Sequence, residues 1–98
     1  MHVIAKRALR IFWERHPQAR TPLQVWFATV GRAAWNSPAD VKAEFGATVD
    51  FVADSRAIFD VSGNKYRLVV RVAYLHKRVL IKFVWTHADY DKIDARTV

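Results

Sequence analysis

Apolar residues recur at helical spacing through the first half of the chain, with charged residues on the opposite side. The first helix is expected to end near His16, and its apolar stripe is Ile4, Ala8, Ile11 and Phe12. Thr21 and Pro22 predict the start of a second helix, because threonine can cap it and proline fits its first turn. Its apolar stripe is Leu23, Trp26, Phe27 and Val30. A short third helix is expected between a capping Ser37 and a terminating Gly46.

From about residue 48 onward the apolar period changes from 3.6 to 2, which is the period of β-strands. Strands are expected over about 48–53, 57–61, 65–75 and 78–85. The first two are joined at Asp54 and Ser55, and residues 62–64 form the next turn. Residues 86–89 begin a short C-terminal helix. The sequence therefore predicts an α+β fold in which N-terminal helices pack on a twisted antiparallel sheet followed by a short C-terminal helix.

Composition narrows the class of protein. The 98 residues include only three glycines and three prolines, so one domain covering residues 1–98 is expected. A formal charge of +7 indicates an anionic partner, most often nucleic acid, although solubility alone also explains it. The absence of cysteine excludes disulfides and thiolate metal sites and suits the reducing cytoplasm, and the histidine spacing indicates no metal site. No apolar run is long enough to span a membrane.

The last two expected strands place cations on one face of the sheet. A two-residue turn at His76 and Lys77 makes every pair on the other face apolar. Those pairs are Leu68 with Trp85, Val70 with Phe83, Val72 with Ile81 and Tyr74 with Val79. The pairs on the charged face are Arg71 with Lys82 and Arg67 with Thr86. The apolar residues between the cations favour the floor of an anion-binding cleft, although the solvated face of a half-buried sheet gives the same pattern; they are Val69, Ala73, Leu80 and Val84.

Two segments in the second half of the chain resemble HigB-type toxins. They are Ser62-Gly63-Asn64-Lys65-Tyr66-Arg67-Leu68-Val69 and Thr86-His87-Ala88-Asp89-Tyr90-Asp91-Lys92-Ile93-Asp94. These toxins belong to type II toxin–antitoxin modules within the RelE/ParE-like superfamily, and a weaker similarity extends over the whole chain. The chain departs from the family pattern at Asp60, Ser62 and Trp85.

The resemblance implies a RelE/ParE-like fold and an mRNA interferase, an endoribonuclease that cuts messenger RNA on the ribosome and so inhibits translation in the cytoplasm. It also implies a HigA-type helix-turn-helix antitoxin as partner. The reaction is expected to need no metal or other cofactor, because the ribose 2′-hydroxyl itself attacks the adjacent phosphate. The alternative is a non-catalytic RNA-binding toxin, or a ParE-like inhibitor of DNA gyrase.

Four residues are the catalytic candidates under this resemblance. Arg67 and Arg71 are expected to bind phosphate and stabilise the transition state, because a guanidinium can grip two oxygens at once. His87 is the expected acid or base, since imidazole exchanges protons near neutral pH, although an exposed helix position explains it equally well. Tyr90 is expected to stack on a base or donate a proton, with packing as its alternative role. The expected RNA-binding residues are Lys65, Lys82 and Lys92.

Overall fold

The computed structural model describes residues 1–63 and 65–87. Within those ranges the chain forms five strands and three α-helices. They are β1 His2–Ile4, α1 Lys6–Arg15, α2 Arg20–Arg32, α3 Pro38–Phe45, β2 Val49–Val52, β3 Arg56–Val61, β4 Tyr66–Ala73 and β5 Arg78–Thr86. No helix in the described part of the chain has the length and apolar character that a membrane crossing needs. The expected C-terminal helix lies outside the described residues, apart from its first positions.

The five strands form one sheet in the order β1-β5-β4-β3-β2. Strands β2 to β5 pair antiparallel in sequence order, whereas β1 runs parallel to β5. The α+β class is therefore confirmed, but the expectation of a wholly antiparallel sheet is wrong for this one pair. Ile4 was expected to belong to the first helix but lies in β1, whose three residues are too few to show a period. Ala5 adopts a positive φ of 75° and turns the chain from β1 into α1.

The three helices cover one face of the sheet and share a single main core with it. The predicted stripe of α2 is confirmed, since Leu23, Trp26 and Val30 are buried and Phe27 packs against the same core. In α1 the buried residues are Leu9 and Phe12, whereas Ile4 and Ile11 are exposed, so the predicted stripe is wrong in part. The core is rich in ring contacts between helices and sheet, among them Trp26 with Phe59, Phe45 with Phe59 and Phe12 with Tyr66.

The structure confirms the predicted bounds of α3 but not the predicted start of α2. Helix α3 spans Pro38–Phe45 between Ser37 and Gly46, and the φ of 59° at Gly46 favours glycine, so its predicted bounds are confirmed. Ser37 makes no side-chain capping hydrogen bond, so its predicted capping role is wrong. Helix α2 instead begins at Arg20, directly after a 3₁₀ turn over Pro17–Ala19. Thr21 therefore lies inside the helix and makes no capping hydrogen bond, so its predicted role is wrong.

The register of β4 with β5 differs from the predicted one. Their connection is a four-residue turn over residues 74–77, in which Lys77 has a φ of 55°. Beyond the turn, Val72 pairs with Val79 and Arg71 with Leu80, so Arg71 does not face Lys82. Between the turn and Val70, the register is thus shifted by two residues from the predicted one. A shift of two residues keeps each side chain on its predicted face, so the apolar face remains apolar.

Lys82 is an extra residue that interrupts the ladder of β5. Val70 pairs with Ile81, and the neighbouring Val69 pairs with Phe83, which leaves Lys82 without an opposite residue. Such a bulge reverses the alternation of faces beyond it. Val84 therefore enters the main core at 7% exposure and faces Leu68, the place predicted for Trp85. Beyond the bulge, the facing pairs are Leu68 with Val84, Arg67 with Trp85 and Tyr66 with Thr86, which corrects the predicted pairs there.

Candidate functional site

The sheet face away from the helices, called here the second face, has a buried apolar middle. Ile58 and Val69 face each other there and are only 7% and 0% exposed. Val52 and Phe83 pack against them. The prediction that Val69 forms the floor of an open cleft is therefore wrong. The cations of this face are divided between its two ends.

The first end, called the Arg67 group, consists of Asp60, Lys65, Arg67 and His87. Asp60 faces Arg67 across β3 and β4, and its Oδ1 forms an ion pair with Nη1 of the guanidinium. The two side chains are largely buried, at 20% and 18% exposure. The backbone N–H of His87 donates a hydrogen bond to the carbonyl oxygen of Lys65 at 3.0 Å. Strand pairing thus places the backbones of Lys65, Arg67 and His87, three predicted site residues, at the same end of the sheet.

Asp60 is the residue of this group that sequence reasoning missed as a site residue. It was noted only as a departure from the family pattern. The sequence signal that could have found it was its place in β3, the strand that precedes β4 and pairs antiparallel with it, which brings Asp60 opposite Arg67. A carboxylate in this position fixes the guanidinium by a charge-assisted contact and lowers its rotational freedom. The same contact neutralises part of its charge.

The second end, called the hairpin-end group, consists of Arg56, Arg71, His76 and Arg78. Arg56 and Arg71 lie directly opposite each other on β3 and β4. The Arg56 guanidinium contacts Asp54 at 3.5 Å, whereas Arg71 and Arg78 are exposed. Arg71 lies four residues along β4 from Arg67, about 13 Å at the rise of a strand. The two predicted catalytic arginines therefore belong to different ends of the face.

A pocket of about 520 Å³ opens beside the hairpin-end group. Arg71, His76 and Arg78 line it together with Ile4 and Leu80. His76 was expected only as a turn residue, and the structure places it in this pocket beside Arg71. The longer turn places His76 there, and its length was not evident from the sequence. Burial, followed by the negative charge of Asp40, raises the pKa of Tyr74 on the rim, which keeps that phenol protonated at neutral pH.

The remaining predicted residues lie elsewhere. Lys82 is exposed at the bulge and lines a separate groove between β5 and Ile11 and Arg15 of α1, so it does not join Arg71. Tyr90 and Lys92 lie outside the described residues, and their roles stay predictions. Among residues 1–63 and 65–87 no group of three histidine, aspartate or glutamate side chains is placed to hold a metal ion.

The fold and this face define a class of protein: a small basic α+β domain with two groups of cationic side chains on one face of its sheet. Residues 19–93 match the sequence model of HigB_toxin, described as the RelE-like toxic component of a toxin–antitoxin system. The chain therefore belongs to the HigB toxin family, as its resemblance indicated. Membership in a two-component system implies an antitoxin as its partner.

Similar proteins cover nearly the whole chain. The chain is 33% identical over 92 residues to the mRNA interferase toxin HigB of Escherichia coli strain K12. The aligned residues cover 93% of this chain and 88% of that protein. The mRNA interferase HigB of Shigella flexneri matches to the same extent. The mRNA interferase HigB of Escherichia coli O6:H1 is 23% identical over 94 residues, covering 95% of this chain and 91% of that protein.

Proposed function

We propose that this chain is an endoribonuclease that cuts messenger RNA on the translating ribosome and thereby inhibits translation. The observation that carries the proposal is the Arg67 group, in which strand pairing gathers two cations and a histidine in a member of the HigB toxin family. The names of its relatives as mRNA interferases support the same activity. The partner that restrains it is a HigA-type helix-turn-helix antitoxin, and both act in the cytoplasm.

The reaction proceeds within the RNA strand and requires no metal ion. A base removes the proton of a ribose 2′-hydroxyl, and that oxygen attacks the adjacent phosphorus. The bond from phosphorus to the 5′-oxygen breaks, and an acid protonates the leaving oxygen. The products are a 2′,3′-cyclic phosphate and a free 5′-hydroxyl.

Each residue of the site has a role in this reaction. Arg67 binds the phosphate as the negative charge on the phosphate increases. The low exposure of Arg67 strengthens this interaction, because little water competes for the guanidinium. His87 exchanges the proton with the 2′-hydroxyl or the leaving oxygen. Arg71 holds a phosphate further along the strand, and Tyr90 stacks on a base or donates a proton. The lysines that bind or attract the backbone are Lys65, Lys82 and Lys92.

The test uses purified protein and ribosomes stalled on a defined message. We expect cuts with 2′,3′-cyclic phosphate ends, and no cut where the scissile nucleotide lacks its 2′-hydroxyl. Arg67→Gln and His87→Gln should each slow cleavage by about 100-fold or more, the usual cost of losing a charge-stabilising donor or a proton-transfer group. Arg20→Gln is the matched control, because Arg20 is exposed at the start of α2.

Two results would contradict the proposal. Cleavage that persists at a 2′-deoxy position would exclude internal attack by the ribose. An intact message under conditions in which the protein arrests growth would favour the non-catalytic alternative, whether RNA binding or gyrase inhibition.

A further inference from the structure

The pocket at the hairpin end has no role in the chemistry proposed for the Arg67 group. Its volume of about 520 Å³ lies within the range of small-molecule sites. It opens between Ile4 of β1, Ser55 of the β2–β3 turn and the β4–β5 turn. The described residues that line it include no carboxylate, so its guanidinium groups have no acidic partner within the pocket itself.

Two arginines of the pocket can reach the same anion. Arg71 pairs with Leu80 and Ala73 pairs with Arg78, so Arg71 and Arg78 are diagonal neighbours on adjacent strands. Diagonal neighbours lie about 7–8 Å apart, which long side chains span easily. Two arginines at this spacing suit a phosphate, because each guanidinium can donate two hydrogen bonds to the phosphate oxygens.

The pocket also offers an apolar surface next to these charges. Leu75 is 89% exposed, Ile4 is 36% exposed, and the half-buried Leu80 forms part of the wall. His76 adds an exposed ring at the same place. A small anion bound by the two arginines would make no use of Leu75 or of the rest of the apolar wall. A ligand that combines an anion with a flat apolar group uses both features.

We propose that this pocket binds one nucleotide of the message, at a position away from the bond that is cut. The phosphate lies between Arg71 and Arg78, and the base lies against Leu75, Ile4 and the ring of His76. Bases stack on histidine rings and guanidinium planes, and such stacking occurs mainly in single-stranded RNA. The proposal rests on the proposed function, because it makes the pocket a second contact for the same substrate.

The position of the pocket gives this contact a consequence for specificity. Arg71 and Arg67 lie on one strand and one face, about 13 Å apart, so an extended RNA strand can contact both ends of the face. The nucleotide held at the hairpin end then determines which phosphate reaches Arg67. The pocket therefore selects the position of the cut, and Arg71 acts there by binding rather than by chemistry.

A binding experiment tests the pocket without requiring cleavage. Isotope-labelled protein is titrated with the four ribonucleoside 5′-monophosphates and, separately, with inorganic phosphate, and amide chemical shifts are followed by NMR. We expect saturable shifts over residues 71–80 and tighter binding of nucleotides than of phosphate. Arg78→Gln should weaken nucleotide binding about tenfold, the cost of one charge-assisted contact, whereas the control Arg20→Gln should not.

Leu75→Ser separates the base contact from the phosphate contact. Leu75 is almost fully exposed, so its replacement leaves the folded structure intact. We expect weaker nucleotide binding and unchanged phosphate binding. Equal affinity of wild-type protein for phosphate and nucleotides would overturn the proposal, and so would shifts confined to residues 65–67. Displacement of a bound nucleotide by a short polyglutamate peptide at lower concentration would assign the pocket to an acidic protein partner instead.

The cleavage assay then links the pocket to the position of the cut. On ribosomes that carry a message with several susceptible codons, Arg78→Gln should redistribute the cuts among those codons, and Arg20→Gln should reproduce the wild-type pattern. An Arg78→Gln pattern identical to wild type would overturn the specificity role. If wild-type protein binds nucleotides at the hairpin end but cuts no message, the proposed function fails while the nucleotide site stands.

Discussion

Arg67 is held by a carboxylate from the neighbouring strand, and this contact determines where its guanidinium can meet a phosphate. The pair is mostly shielded from water, so its attraction is stronger than that of an exposed pair. Arg56 provides a contrast, because its partner Asp54 is 72% exposed and their contact is 3.5 Å long. Exposed pairs of this kind contribute little to structure. We therefore regard Asp60 as a positioning residue for Arg67.

Asp60→Ala should lower the cleavage rate about tenfold, because a guanidinium that is no longer held spends less time in its productive position. Asp60→Asn should retain most of the activity, since its amide oxygen can still accept a hydrogen bond from Arg67. Single-turnover cleavage on ribosomes measures the rate, and circular dichroism checks the fold. Asp54→Ala is the matched control and should cut at the wild-type rate. An equal loss in Asp54→Ala, or no rescue by Asp60→Asn, would contradict the positioning role.

Among single residues, the sequence predicted those site residues that belong to a recognisable motif. It missed those that join a group only through the pairing of strands. Lys65, Arg67 and His87 stand in the two segments that resemble the family, and the structure brings them together. Asp60 becomes a neighbour of Arg67 only through the register of β3 with β4. His76 reaches the pocket only because the hairpin turn has four residues. Neither relationship is contained in the local sequence.

The bulge at Lys82 is the element that most changes the second face. The apolar run of β5 contains Phe83, Val84 and Trp85 in succession, so either alternate set could face the core. The extra residue selects Val84 for the main core and places Phe83 against Ile58 and Val69. It also leaves the charged Lys82 exposed. A two-residue period cannot reveal an insertion of one residue, which is why the predicted register was wrong.

Val84→Thr tests the register directly. With Val84 in the core, its replacement buries a hydroxyl of nearly the same size without a partner and should lower the free energy of unfolding by about 1–3 kcal/mol. In the regular register predicted from sequence, the same change would be nearly neutral. Val25→Thr is the control, because Val25 is 61% exposed on α2. Urea denaturation measures both variants, and equal stabilities would contradict the bulge.

The helices were easier to predict than the sheet, because their signals are local. Pro38 in the first turn and Gly46 just after the last residue mark the bounds of α3 locally. The start of α2 was misplaced because the 3₁₀ turn over Pro17–Ala19 continues directly into the helix, which removes the need for a capping side chain. Strand β1 depends entirely on its pairing with β5, a segment more than seventy residues away along the chain. Long-range pairing of this kind leaves no periodic signal in three residues.

The chain has a formal charge of +7, and in its described part cationic side chains lie both on the second face and on the outer surface of the helices. Lys6, Arg7 and Arg10 are exposed on α1, and the ammonium group of Lys6 lies 4.5 Å from the centre of the Phe27 ring. All these charges attract a polyanion at long range. Direct phosphate contacts differ from this general attraction because each one releases counterions from the nucleic acid. Salt dependence therefore distinguishes the sheet from the helices as the RNA-binding surface.

Arg71→Gln should reduce the salt dependence of RNA binding, whereas Arg7→Gln should leave it unchanged. The probe is a single-stranded oligonucleotide that carries 2′-deoxyribose at the scissile position, and fluorescence anisotropy gives its dissociation constant at several salt concentrations. For single strands, each lost phosphate contact should lower the slope of log affinity against log salt by about 0.7 in magnitude. Arg7 has the same charge as Arg71 and is exposed on α1, so it controls for the change in net charge. Equal slopes for the two variants would show that the strand is attracted by the overall charge of the molecule rather than bound along the second face.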